Sequence, residues 1–455
     1  MIERETQNII KYSLLSRIVL FILQVVFNNL IHDHISSDAF DPPAVTNKTG
    51  LADDLIEFTL SGFRRWDAIY MLHIAEHGYI YEHTMAFFPA FPFTVRVVGF
   101  TFLYPLKYIM SVRHIMMFAA FSLNTVCFVL AASYIYSLAS ILSEKGKREA
   151  WICTVFFCFN PASVFMSAAY TECTFALFSF ALMYYIELKQ YMKATIALAL
   201  ACATRSNGLV LAGYPFYHTI RLIVLGLQQT KGSYLNLIRD LLKLASCCLY
   251  GVAPFVIYQY MGYVAYCRPS KITVERKLAQ FGRKNNFHMP GDSPSEWCYY
   301  NIPFSYSYIQ RKYWNVGFFS YYEWKQLPNF FLALPVVLLS LYCICTCFCN
   351  LLRAVNLSHC KFNPRTWLAS HSSRTLPYAV HLAFLLFYGL ANTHVQILTR
   401  MIYSSSPLVY LCVARVIPPV RSWQQLPYLA KCNLIYSLSY FLIGTALHCN
   451  FLPWT

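Results

Sequence analysis

The stretch Asn329–Leu352, NFFLALPVVLLSLYCICTCFCNLL, contains no Asp, Glu, Lys, Arg or His. As a helix its 24 residues would rise about 36 Å, more than the roughly 30 Å of a bilayer's hydrocarbon core. Similar stretches lie near residues 13–31, 114–142, 150–168, 173–188, 191–206, 208–225, 244–264, 377–392, 395–414 and 432–449. Charged residues make 12% of the chain and apolar ones 57%, whereas a soluble domain carries about 25% charge. The sequence predicts an all-α polytopic membrane protein of about eleven spans. Pro161, Pro215 and Pro254 interrupt some of them, and broken helices are tolerated at membrane depth only against protein or a wet cavity. Phe87–Tyr104, with Pro89, Pro92 and Arg96, reads as interfacial or re-entrant.

The formal charge of +16 does not point to nucleic acid, because no long basic run interleaves with aromatics. Lys147, Arg148, Lys189, Lys193, Arg239, Lys243, Arg353, Arg415 and Lys431 sit in short connections on one side, against Arg205 on the other. The positive-inside rule then puts the N-terminus in the cytosol. The chain divides into a cytosolic tail with the first helix (1–31), a long lumenal segment (32–113), a bundle (114–264), a second lumenal segment (265–328) and a C-terminal bundle (329–455). Arg17 precedes the apolar run Ile18–Phe27 and no small-residue cleavage site follows, so this run reads as an anchor rather than a cleaved signal. The sequon Asn47-Lys48-Thr49 falls on the lumenal side and Asn356-Leu357-Ser358 on the cytosolic side, so only Asn47 is expected to carry a glycan. Most of the 17 cysteines lie inside apolar stretches, where thiols behave as small hydrophobes. Cys343, Cys345, Cys347 and Cys349 alternate, so a helix spreads them around its circumference, and no metal site is expected there.

The stretch Arg64-Arg65-Trp66-Asp67-Ala68, followed by His73-Ile74-Ala75-Glu76-His77-Gly78-Tyr79, reads as a short amphipathic helix on the lumenal face. Its carboxylate could take a proton from a sugar hydroxyl while the arginines hold a phosphate. The competing reading is an interfacial helix with snorkelling arginines and a Trp anchor. His73-x-x-Glu76-His77 also fits an inverted zinc-protease pattern, but Gly78 ends the helix at once and no third ligand is evident. Polar residues interrupt apolar stretches at Tyr170-Thr171-Glu172, Thr204–Gly208 and Asn392–Gln396. Glu172, Arg205 and His394 fall on the same side as Asp67, which suggests one shared site, against the alternative that each caps a short loop.

These blocks together carry a resemblance. Arg65–Ala68 with His73–Tyr79, Ala86–Pro92, Asn160-Pro161-Ala162 through Glu172, Thr204–Gly208 and His394–Arg400 resemble the PIG-V family of GPI mannosyltransferases over nearly the whole chain. The resemblance implies a GT-C-type helical bundle in the endoplasmic reticulum membrane. It implies transfer of the second, α-1,6-linked mannose from dolichyl-phosphate mannose to a mannosylated glucosaminyl-phosphatidylinositol, with inversion and without cofactor or metal. Membrane lipids surround such an enzyme, and a small stabilising subunit is a further expected partner. Asp67 is then the catalytic base, and Trp66, Arg64, Arg65, Glu172, Arg205, His394, Gln396 and Arg400 bind substrate. The chain departs from the wider GT-C habit of two adjacent acids, having one after Trp66; Asp53-Asp54 lie upstream. Trp297, Tyr299, Tyr300, Tyr313 and Trp314 either line the acceptor groove or pack the second segment. Cys267 and Cys298, alone in that segment, are expected to pair in an oxidising lumen. The rival reading is a lipid-glycan flippase or transporter.

Overall fold

The computed structural model describes residues 2–34, 40–45, 50–143, 146–226, 234–269, 274–356, 371–420 and 422–454. Asn47 lies outside them. Every regular element among the described residues is helical. In chain order the α-helices are α1 (Ile2–Leu30), α2 (Leu51–Leu60), α3 (Asp67–His77), α4 (Ala90–Phe100), α5 (Val112–Leu142), α6 (Lys147–Cys158), α7 (Glu172–Glu187), α8 (Tyr191–Thr204) and α9 (Gly213–Gly226). They continue with α10 (Tyr234–Cys267), α11 (Arg276–Lys284), α12 (Ser305–Trp314), α13 (Leu327–Asn356), α14 (His371–Asn392), α15 (Ile397–Tyr403), α16 (Pro407–Val416) and α17 (Tyr428–Cys449).

Among the described residues, seven helices have the length and hydropathy to cross a bilayer: α1, α5, α9 with the turn before it, α10, α13, α14 and α17. The expected span 395–414 is instead the pair α15 and α16, bent by 79°. Ser404, Ser405 and Ser406 make the break and are fully buried. Ser404 Oγ returns a hydrogen bond to Met401 O at 3.2 Å, and Pro407, which has no N–H to lose, opens the second half.

The other three expected spans are short: α6 has 12 residues, α7 has 16 and α8 has 14. They rise about 18, 24 and 21 Å, less than a bilayer core. Of the three only α6 is much shorter than its expected stretch, and the cause lies at its C-terminal end. Asn160 ends the first, its Oδ1 accepting from Ala162 N at 2.8 Å and its Nδ2 donating to Phe157 O at 2.7 Å. Arg205 turns extended after α8. Arg17, expected to flank the first anchor, is buried inside the bundle. It donates to Cys158 O, Ser163 O and Ser167 Oγ, each at 3.0 Å, and lies 3.8 Å over the Phe128 ring. A cation thus meets the carbonyl end of α6 where the helix stops early.

The two long segments fold against each other. Phe40, Ile69, Ile80 and Tyr81 of the first share a buried cluster with Leu278 and Met289 of the second. Cys267 and Cys298 are disulfide-bonded, their Cα atoms 5.5 Å apart. The alternating cysteines of α13 divide as a helix demands: Cys343 and Cys347 are buried, and Cys345 and Cys349 are exposed.

Candidate active site

Asp67 is the first residue of α3, and the backbone before it is strained. Trp66 takes φ 54° and ψ −124°, a region that costs a residue with a Cβ about 1–3 kcal/mol unless its surroundings enforce it. The surroundings are Tyr170, fully buried, whose hydroxyl accepts from Asp67 N at 3.2 Å and donates to Arg65 O at 3.4 Å. Gly78 ends α3 with φ 79° and returns its N–H to Ile74 O at 2.8 Å. The helix is therefore one short rod aimed by its first residue.

Three further charged residues converge on it from distant parts of the chain. Arg400, on α15 just before the serine break, donates through Nη2 to Asp67 Oδ2 at 2.7 Å. Its Nη1 reaches Glu172 Oε1, at the start of the short α7, at 3.1 Å. Arg205, at the end of the short α8, binds the same Glu172 oxygen and donates to Thr171 Oγ1 at 3.0 Å. Gly208 lets this turn press on α8: a Cβ there would stand 2.7 Å from the Ala201 carbonyl. The Arg400 guanidinium also lies over the rings of Tyr170 and Phe165, 5.2 and 5.3 Å from their centroids.

Two carboxylates and two guanidiniums cancel in charge, and their exposure is graded. The Asp67 side chain is 25% exposed, Arg205 17%, Arg400 6% and Glu172 0%. A solute entering the site therefore meets Asp67 and Arg205, while Arg400 and Glu172 hold them. Glu172 Oε2, Arg400 Nε, Trp66 Nε1 and both amide atoms of Asn207 are buried without a hydrogen-bond partner among the described residues. The arrangement suits a polar ligand bearing negative charge on the Arg205 side and a proton to lose on the Asp67 side.

Of the residues singled out from the sequence, Asp67, Glu172, Arg205 and Arg400 come together, with Trp66 beside them. His394 is close by: its Nε2 donates to Trp314 O at 2.9 Å, and the ring stacks on Tyr321 at 4.6 Å. Burial pulls its pKa down, opposed by that carbonyl. Gln396 caps α15, half-buried. Arg64 and Arg65 are committed elsewhere. Arg64 pairs with Glu57 at 3.2 Å. Arg65 binds Asp33 and Asn28 at 2.9 Å each and the Cys449 carbonyl at 2.9 Å. Asp53, the upstream acid, is fully buried and bonded to Ser111 N at 2.8 Å and His114 Nδ1 at 3.0 Å. His73 stacks on Tyr81, and His77 approaches Glu76 at 3.4 Å. Tyr170 and Thr171, which the sequence marks only as part of the polar triplet ending in Glu172, turn out to bond Asp67 N and Arg205.

A family model described as mannosyltransferase (PIG-V) matches residues 6–455. GPI alpha-1,6-mannosyltransferase 2 of Cricetulus griseus is 35% identical over 495 aligned positions, covering 99% of this chain and 98% of that protein. The protein of the same name in Homo sapiens is 34% identical, with the same shares covered. Among solved structures, the apo oligosaccharyltransferase of Archaeoglobus fulgidus aligns with a TM-score of 0.47 at 11% identity. That alignment takes in 97% of this chain and 56% of the other.

Proposed function

Because the chain belongs to the PIG-V mannosyltransferase family, we propose that it transfers mannose from dolichyl-phosphate mannose to a mannosylated glucosaminyl-phosphatidylinositol. The bond formed is α-1,6, and the reaction takes place at the lumenal face of the endoplasmic reticulum. The family is one of GPI mannosyltransferases, so the transfer itself is the premise; the donor, the acceptor and the side of the membrane are the proposal.

The graded exposure of the four charges carries this reading. The acceptor's hydroxyl oxygen attacks the anomeric carbon on the face opposite the phosphate. As that bond forms, the bond from the anomeric carbon to the phosphate oxygen breaks, and its electron pair leaves with dolichyl phosphate. Asp67 receives the hydroxyl proton. Arg205, the more exposed of the two guanidiniums, meets the phosphate's developing charge in this scheme. Arg400 and Glu172 touch neither bond; they fix the positions of Asp67 and Arg205. The leaving group is already an activated phosphate, so the scheme calls for no metal and no nucleotide.

Microsomes containing the protein, supplied with labelled dolichyl-phosphate mannose, should lengthen the GPI intermediate by one mannose, and Asp67→Asn should slow the step roughly 10²–10⁴-fold. Label that crosses the membrane without entering the glycan would instead favour a flippase. For the orientation, Asn47 should carry an endoglycosidase-sensitive glycan, and a glycan on Asn356 would overturn it.

A further inference from the structure

Glu82 lies in the first long segment, has no exposed surface, and spends both carboxylate oxygens on the second. Oε1 accepts from Trp297 Nε1 at 2.9 Å and Oε2 from Tyr313 OH at 2.8 Å, with Lys312 Nζ 3.9 Å away. Its own N–H donates to His288 O at 2.9 Å. A buried carboxylate is an expensive way to join two surfaces, since apolar side chains of similar volume would do so at lower cost. What it supplies is direction: two donors, 16 residues apart in sequence, must each point at one group. Trp297 is also next to Cys298, which the disulfide ties to the end of α10. The stretch from 297 to 313 is thus held at both ends by one side chain.

The residue after Tyr313 is Trp314. Its ring lies 5.9 Å from Tyr70 and 5.7 Å from Phe87, and its carbonyl receives the His394 bond. Tyr70 follows Asp67 by three positions and so shares its face of α3. The Tyr70 ring is fixed between Phe40 and Phe87, stacked at 4.3 and 4.8 Å. Both Tyr70 and Trp314 are half-buried. Neither the Tyr70 hydroxyl nor the Trp314 indole N–H has a protein partner among the described residues. The half-buried Trp314 ring and the hydroxyl edge of Tyr70, each with an open donor, make a surface beside Asp67 that a pyranose fits: its C–H face packs on the indole and its hydroxyls bond the two donors.

We propose that Tyr70 and Trp314 form the wall that binds the acceptor's terminal pyranose, and that Glu82 is the positioning residue that holds this wall against Asp67. The inference rests on the reading of Asp67 as the acceptor-side base. The test is steady-state transfer by the full-length enzyme at saturating dolichyl-phosphate mannose, varying a synthetic glycolipid acceptor that ends in mannose. Trp314→Ala should raise the acceptor KM roughly tenfold, as should Glu82→Gln, which weakens hydrogen bonds to a charged group. Glu82→Gln should add little further in the Trp314→Ala background, because it acts through that ring. Should Glu82→Gln not accumulate, Tyr313→Phe removes one donor, keeps the ring, and should raise the acceptor KM in the same direction. A normal acceptor KM in the folded fraction of Glu82→Gln or Tyr313→Phe, or full additivity with Trp314→Ala, would overturn the inference. Normal turnover by Asp67→Asn would remove the underlying reading instead.

Discussion

Replacing Asp67 with asparagine takes away the one carboxylate a substrate can reach and leaves the packing around it nearly intact. Asparagine still offers an oxygen to Arg400 Nη2, now 2.7 Å from Asp67 Oδ2, and Arg400 keeps Glu172 at 3.1 Å. The bond lost is a charge-assisted one at a partly exposed group, so after discounting for solvent the structural cost is about 1 kcal/mol. Loss of a positioned base should slow transfer roughly 10²–10⁴-fold, about 2.7–5.4 kcal/mol in the barrier. The barrier effect exceeds the structural one, so abundance should change little while turnover per molecule collapses. Asp53→Asn supplies the contrast. Asp53 is buried on α2 among Ser111 and His114, so its loss should cost roughly 1–3 kcal/mol of stability and leave turnover per folded molecule near normal. Both variants are assayed by labelled mannose transfer normalised to folded protein. Asp67→Asn retaining more than about a tenth of wild-type turnover, below the range for a lost general base, would refute the reasoning.

Three further outcomes follow from the same coordinates. Glu172→Gln leaves Arg205 and Arg400 facing Asp67 alone, and removing one partner of a buried ion pair costs roughly 3–5 kcal/mol. A double-mutant cycle with Arg205→Gln should show strong coupling in thermal stability, and simple additivity would dissolve the pair. Replacing Cys267 and Cys298 with serine opens a loop of sequence separation 31, which should cost about 3–4 kcal/mol; an unchanged Tm would refute that. His83, whose pKa burial pulls down from 6.5 to about 4, makes the first long segment acid-sensitive. The unfolded segment takes the proton first, so stability is full above about pH 6.5 and falls by roughly 3 kcal/mol on the way to pH 4. Protease susceptibility should rise across that window, and a flat profile would count against it.

The spans were readable because a charge-free run such as 329–352 has only one comfortable solvent. The early end of α6 was not, since hydropathy continues through 159–171 where the helix has already stopped. What stops it is Asn160 turned on its own backbone together with a partner distant in sequence, Arg17 reaching in from α1. The same limit governs the arginines. Arg65 stands next to Trp66 in sequence, yet its partners are Asn28, Asp33 and a carbonyl 384 positions away. No local pattern could tell it from Arg400, which lies 333 positions from Asp67 and binds it. Adjacency in sequence sets Arg65 beside Asp67, whereas the fold pairs Asp67 with Arg400.

That exchange has a physical reason. A charge near membrane depth is tolerated when it is paired and its remaining valences are met. Arg65 spends Nε and Nη2 on fixed oxygens and lies 4.7 Å over the Phe451 ring. Arg400 and Glu172 meet their charge through each other but keep one polar atom each unbonded. Neutrality of the four-residue set lets it sit among short helices without substrate. Asp67 and Arg205, the more exposed members of the set and held from behind by Arg400 and Glu172, are where transfer should occur.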